Sequence, residues 1–186
     1  MITLTTPLND KEIAALEVGD TIEISGAILC GRDAVLPKVV KMAEAAAVKA
    51  GAGGEYPAEA AEAVAEELGV DLRGQVIFHT AVSPAGVGPT SSNKAEIEAS
   101  IAPLSKAGVK IHLGKGRLSD ETVQALDRYN AVYAVIPPVT ALLESKTLSR
   151  KVVAFPELGM EALHLIEVDR FPAIVGAAHG RSIYDK

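Results

Sequence analysis

The chain has 186 residues, of which 48% are hydrophobic, a formal net charge of -6 and one cysteine, Cys30. Such a length and apolar fraction support one domain with a buried core, expected over residues 1–186, while the acidic balance and the lack of a basic block exclude a nucleic-acid partner, which needs clustered Lys and Arg. A lone cysteine excludes an internal disulfide or a cysteine cluster built from this chain alone, and 4% aromatics with no Trp leave few surfaces for stacking bases.

The opening stretch, MITLTTPLNDKEI, lacks the basic start and apolar run of a signal peptide, and no segment approaches the ~20 apolar residues of a membrane span, so a cytoplasmic location is expected. Residues 20–30, DTIEISGAILC, alternate and then turn fully apolar, which predicts a strand entering a core. Cys30 at its end reads as a buried, inert thiol. A helix is predicted from Asp33 to Lys49, with Asp33 favoured at its start by the helix dipole. The stretch at 51–69 splits into a glycine-rich turn and an alanine- and glutamate-rich helix, Pro57 to Leu68, stopped by Gly69; its low complexity suggests an insertion or surface helix rather than a site.

From there strands and helices alternate. QVIFHT (75–80), VKIHL (109–113) and AVYAVI (131–136) are expected as strands, with helices over Asn93–Ala107 and Ser119–Tyr129 between them. A helical piece follows at 139–145, then a strand at KVVAF, then a long apolar stretch, ALHLIEVDRFPAIVGA, in which Pro172 is expected to interrupt central pairing. Alternating short apolar strands and helices define an α/β layered fold.

Three junctions share one design. Arg32 follows the strand ending at Gly31, Lys94 opens a helix after GVGPTSSN, and Lys115 lies between two glycines after the third strand. In open α/β sheets ligands gather at the carboxyl ends of strands, where helix N-termini offer free N–H groups, so three converging cations predict an anion pocket. Thr90, Ser91 and Ser92 supply hydroxyls beside it, and Gly88 with Pro89 sets a turn that lets the backbone approach closely. A small carboxylic acid fits better than a nucleotide: Lys115 is followed by Gly116 rather than Ser or Thr, and Gly86 and Gly88 do not complete a dinucleotide fingerprint. Taken singly, Asn93 with Glu96 makes a capping box, Lys115 a solvated turn residue, and Arg32 with Asp33 a surface ion pair. His79, His112, His164 and His179 lack the spacing of ligands on one helix face and read as strand or tail residues rather than a metal site.

The segments TPL, VGDTIEISG and GRDA, then GPTSS, then GKGRLSDETVQAL and ELGMEA, in this order and spacing, resemble the β subunit or C-terminal half of class I iron-sulfur fumarate hydratases and of their tartrate dehydratase relatives. The resemblance runs from Thr6 almost to the C-terminus. It implies a three-layer β/β/α swivelling domain and a hydro-lyase that interconverts fumarate and malate, or a related hydroxy dicarboxylate. It also implies an iron-sulfur cluster carried by a partner α subunit, none bound by this chain alone, in a hetero-oligomer, with a homo-oligomer for the isolated chain; a separate partner is further expected because the chain starts at a domain edge. By position, it implies that Arg32 and Lys115 bind substrate carboxylates, that Ser91 and Lys94 belong to the same clamp, and that Thr90 moves the proton at carbon. Five features depart from the family pattern: Ser91 replaces a threonine, Lys94 an arginine, Leu36 stands where a histidine is common, the usual glycine-proline turn reads TAVSPAG, and the usual glycine-rich stretch near the end of the sheet reads PPVTALL. Those departures keep an alternative open, a non-catalytic carboxylate-binding or assembly domain that retained the fold.

Overall fold

The computed structural model describes residues 1–88 and 94–185, with the side chain of Lys94 outside the described set. Strand β1 (Ile2–Thr5) pairs in parallel with β2 (Thr21–Gly31), and between them helix α1 (Asp10–Ala14) is held by a reciprocal capping box of Asn9 and Glu12. Strands β3 (Val76–His79), β4 (Ile111–Gly114) and β5 (Val132–Val135) continue the parallel run in that order. The long β7 (Leu163–Ala178) lies antiparallel to β2 on one side and to β5 on the other. β2, β3, β4, β5 and β7 therefore form a closed ring, with β6 (Thr147–Ala154) and β8 (Arg181–Ser182) added on β7.

The alternation of side chains along each strand sorts the core into an inside and an outside. Ile24, Ile28, Phe78, Leu113, Ala134, Ile166 and Phe171 fill the ring, where Phe78 and Phe171 meet edge to face at 5.8 Å. The intervening residues, among them Leu29 and Ile77, face outward onto helices α2 (Leu36–Lys49), α3 (Ala58–Leu68) and α5 (Ile101–Lys106). Tyr133 and Ala177 meet Val123 and Leu126 of α6 (Asp120–Arg128) in a third cluster.

Several expectations need correction. α2 begins at Leu36 and not at Asp33, because residues 32–35 form a turn in which the Leu36 N–H donates to the Arg32 carbonyl at 2.9 Å, and its first turn carries no acid. The helix expected over Asn93–Ala107 is two helices, α4 (Lys94–Ala99) and α5, parted at Ser100. Pro103 explains the break: it lacks an N–H and its ring crowds the carbonyl of residue 99. Pro172 does not interrupt β7, which pairs there with Glu23 of β2. On its other flank the β6 ladder ends at Val168 and the β5 ladder starts at Ile174, so the proline occupies an interval without strand partners among the described residues on that side. The alanine-rich α3, in contrast, is a surface helix as expected, anchored by buried Ala60, Ala61, Val64 and Leu68, and Gly69 ends it in the left-handed conformation at φ 83°.

Phe78 and Phe171 are both fully buried at the centre of the ring. Phe78→Ala is expected to cost about 3–5 kcal/mol, read by urea unfolding, with the unfolding slope unchanged.

Candidate functional site

Parallel pairing places the carboxyl ends of β2 to β5 at one rim of the ring. Gly31 pairs with His79, Phe78 with Leu113, and Gly114 with Val135, so the turns carrying Arg32, residues 80–88 and Lys115 leave from neighbouring strand ends. The antiparallel β7 starts at the same rim, where Cys30 pairs with His164, and the 3-10 segment before it (Pro156–Glu161) delivers Glu161.

Gly31 is required where β2 ends. A Cβ there would lie 2.8 Å from Val35 Cγ1 and 3.0 Å from Leu36 Cδ2, so the turn folds back directly over the strand and fixes Arg32. Nε of Arg32 lies 2.7 Å from Asp33 Oδ1 and 3.2 Å from Glu161 Oε1. The side chains of Arg32 and Asp33 are only 17% and 15% exposed, so the pair expected at the surface is largely sheltered and is shared with a second carboxylate. Lys115 stands differently. It is exposed, with no ion pair among the described residues, and its flanking glycines shape the turn: a Cβ at Gly114 would meet Tyr133 Oη at 2.9 Å, and Gly116 sits at φ 86°.

Thr90 and Ser91, with Ser92 and Asn93, lie outside the described residues, as does the Lys94 side chain; Lys94 itself opens α4. The approach to them is well held. The Thr80 hydroxyl donates to the Gly88 carbonyl at 2.6 Å, and the Ser83 hydroxyl to that of Gly86 at 3.1 Å. Arg150 on β6 donates from Nη1 to the Ser83 carbonyl at 3.0 Å and ion-pairs with Glu144 of α7 (Thr140–Ser145). Glu144 Oε2 in turn lies against Gly86, where a Cβ would come within 2.9 Å of it. The contacts of Arg150, Glu144 and Glu161 with these turns are not legible in sequence, since 67 positions separate Ser83 from Arg150 and no local pattern joins them.

Cys30 is buried inside the ring, and burial pushes its thiol well above the ordinary range, partly offset by Arg150. The histidines are less scattered than their spacing suggests. His79 Nε2 lies 2.9 Å from His112 Nδ1 across β3 and β4, whereas Nδ1 of His164 contacts the Ala162 carbonyl and His179 sits near Glu17. Among the described residues no three His, Cys, Asp or Glu side chains are grouped so as to hold a metal ion, and no helix is long and apolar enough to cross a membrane.

The sequence profile described as Fumarase C-terminus matches residues 1–186, and the chain belongs to that family. A protein of Methanocaldococcus jannaschii provisionally named L(+)-tartrate dehydratase subunit beta is 27% identical, over 96% of this chain and 89% of its own length. The L(+)-tartrate dehydratase subunit beta of Escherichia coli is 25% identical, over 97% and 85%. The anaerobic class I fumarate hydratase of Escherichia coli is also 25% identical, over 94% of this chain but 30% of its own length. The chain thus spans most of a β subunit and under a third of that fumarate hydratase.

Two outcomes are expected at this rim. Cys30 should resist thiol reagents in the folded chain and react at once in denaturant, read by colorimetric thiol titration. Arg150→Met should speed amide hydrogen exchange across residues 83–88 while the ring strands keep their protection, read by mass spectrometry.

Proposed function

We propose that this chain is the β subunit of a hydro-lyase that adds or removes water across a small dicarboxylate, fumarate and malate or a related hydroxy acid. The observation that carries this reading is the shared rim: three cation-bearing junctions leave adjacent parallel strand ends, in a chain of the fumarase C-terminal family. In this reading residues 1–186 form one domain of the β/β/α swivelling type and work in the cytoplasm. The closed ring with helices outside it agrees with such a domain.

Lys115, exposed and unpaired among the described residues, would take one carboxylate of the substrate. Arg32 would take the other, its Nε held by Asp33 and Glu161 so that the guanidinium plane is fixed before the ligand arrives. Ser91 and Lys94 would complete the clamp, with Lys94 as a point charge rather than a bidentate fork. Thr90 would move the proton at carbon, which needs a nearby cation, since a neutral hydroxyl is a weak base. An iron-sulfur cluster, where present, supplies Lewis-acid activation of the departing hydroxyl. This chain does not fit the cluster itself, because its one cysteine is sealed in the ring and no three ligands are grouped among the described residues. The reading therefore assigns it to an α subunit, and the β-subunit names of the relatives support such a partner.

A second reading, a carboxylate-binding or assembly domain without turnover, draws on the two acidic neighbours of Arg32, with which an anionic ligand must compete.

Oxygen-free affinity purification of the chain from its host should yield a coloured, stoichiometric complex with hydration activity on fumarate or a related acid. A colourless lone chain favours the second reading. In the active complex, Arg32→Ala and Lys115→Ala should each lower kcat/KM by about a hundred-fold or more without unfolding the chain. Full activity in both variants removes them from the site.

A further inference from the structure

The outer face of β3 and β4 is apolar where it meets the helices, apart from two buried histidines. His79 and His112 lie diagonally across the strand pair, because His112 pairs with Ile77, two residues before His79. Nε2 of His79 is 2.9 Å from Nδ1 of His112, and Nε2 of His112 is 2.9 Å from Oγ of Ser105 on α5. One ring nitrogen of the four is left over: Nδ1 of His79 is buried and meets no partner among the described residues.

Counting hydrogens decides how this row is ordered. Burial holds both rings neutral at neutral pH, bringing His79 down to about 4 and His112 well below its ordinary value. Three hydrogens are then available, one on each ring and one on the serine. If Ser105 donates to His112 Nε2, His112 must donate from Nδ1 to His79 Nε2, and the His79 hydrogen must sit on Nδ1. In the reverse order His79 donates inward, leaving both its Nδ1 lone pair and the Ser105 hydrogen unpartnered in buried surroundings. The first order leaves one group unmatched and the second leaves two, so the first is favoured.

We propose that Ser105, acting through His112, fixes His79 as its Nδ1–H tautomer, and that this neutral donor at the carboxyl end of β3 is a further binding group for the substrate carboxylate. The proposal rests on the hydro-lyase reading of the rim. His79 is level with Gly31, whose successor is Arg32, and Thr80 beside it holds the Gly88 carbonyl. A carboxylate oxygen only accepts hydrogen bonds, so it matches an N–H and not a bare imidazole nitrogen. The donor adds no charge to compete with Asp33 and Glu161, and its seclusion from water strengthens any bond it makes. The same ordering removes His79 as a general base, since its remaining nitrogen already accepts from His112. Ser105 and His112 are positioning residues that act through His79.

Long-range proton–nitrogen correlation spectra of the nitrogen-labelled full chain, in whatever assembly it purifies, report the tautomer of each ring directly. His79 and His112 should both carry their hydrogen on Nδ1, and Ser105→Ala should convert His79 to a mixture of tautomers. A hydrogen on Nε2 of His79 in the unaltered chain overturns the proposal. Saturation with fumarate or L(+)-tartrate should shift the His79 Nδ1 resonance together with the Arg32 Nε resonance. A shift at Arg32 without one at His79 ends the binding role for His79 alone, and no shift at either sinks the rim reading and this proposal with it.

Discussion

The structure depends on one strand being paired on both sides. β7 bonds to β2 along one flank and to β5 along the other, and this closes what would otherwise be an open parallel run. Closure matters because the four parallel strands are short beyond β2, with only four residues each in β3, β4 and β5. Strands of that length gain little alone; inside a ring each is flanked twice and filled from within by residues such as Phe78, Leu113 and Ala134. The rim is fixed as a result. Arg32, the 80–88 turn and Lys115 keep their places because the strand ends beneath them cannot shift in register without exposing the interior.

The rim combines two kinds of cation. Arg32 is sheltered and oriented by carboxylates, whereas Lys115 is exposed on a turn between two glycines. In the proposed hydro-lyase reading the first would give direction and the second reach, which would suit a ligand with two acidic ends. Holding Arg32 between Asp33 and Glu161 also limits the affinity it can offer, since part of its charge is already answered. A neutral donor row beneath the rim, built from Ser105, His112 and His79, is one way to strengthen anion binding without increasing that competition.

Much of the layered pattern could be read from the chain. The apolar runs at 20–30, 75–80 and 131–136 mark strands correctly, and Gly69 marks a helix end; the helix expected from Ser119 is there too, with Ser119 as its N-cap. Local rules failed where distant partners decide. Pro172 is tolerated because its missing N–H falls on the flank between the β6 and β5 ladders, which the local sequence does not encode. The capping box of Asn9 and Glu12 is carried by the local stretch NDKE and needs no distant partner. At the rim, the glycine turns that carry Arg32 and Lys115 are legible in the chain as GRD and GKG. The Arg150 and Glu161 contacts and the His79–His112 contact are not, since each depends on strand order and no periodicity encodes it.

β6 bears a consequence of its own. Among the described residues it pairs only with β7 and ends the sheet, so its outer flank meets no further strand there, and Leu148 and Val152 are exposed beside it. Such a flank invites a second copy to add on as another strand. Here the strand carries Arg150 and Lys151 at its middle, next to each other. A second β6 aligned antiparallel about this centre would set the exposed Lys151 of each copy against an Arg150 whose charge Glu144 already answers. It would also have to leave room for the Arg150–Glu144 pair and the Arg150 bond to Ser83, so the contacts that hold the 83–86 turn also shape what this edge can accept.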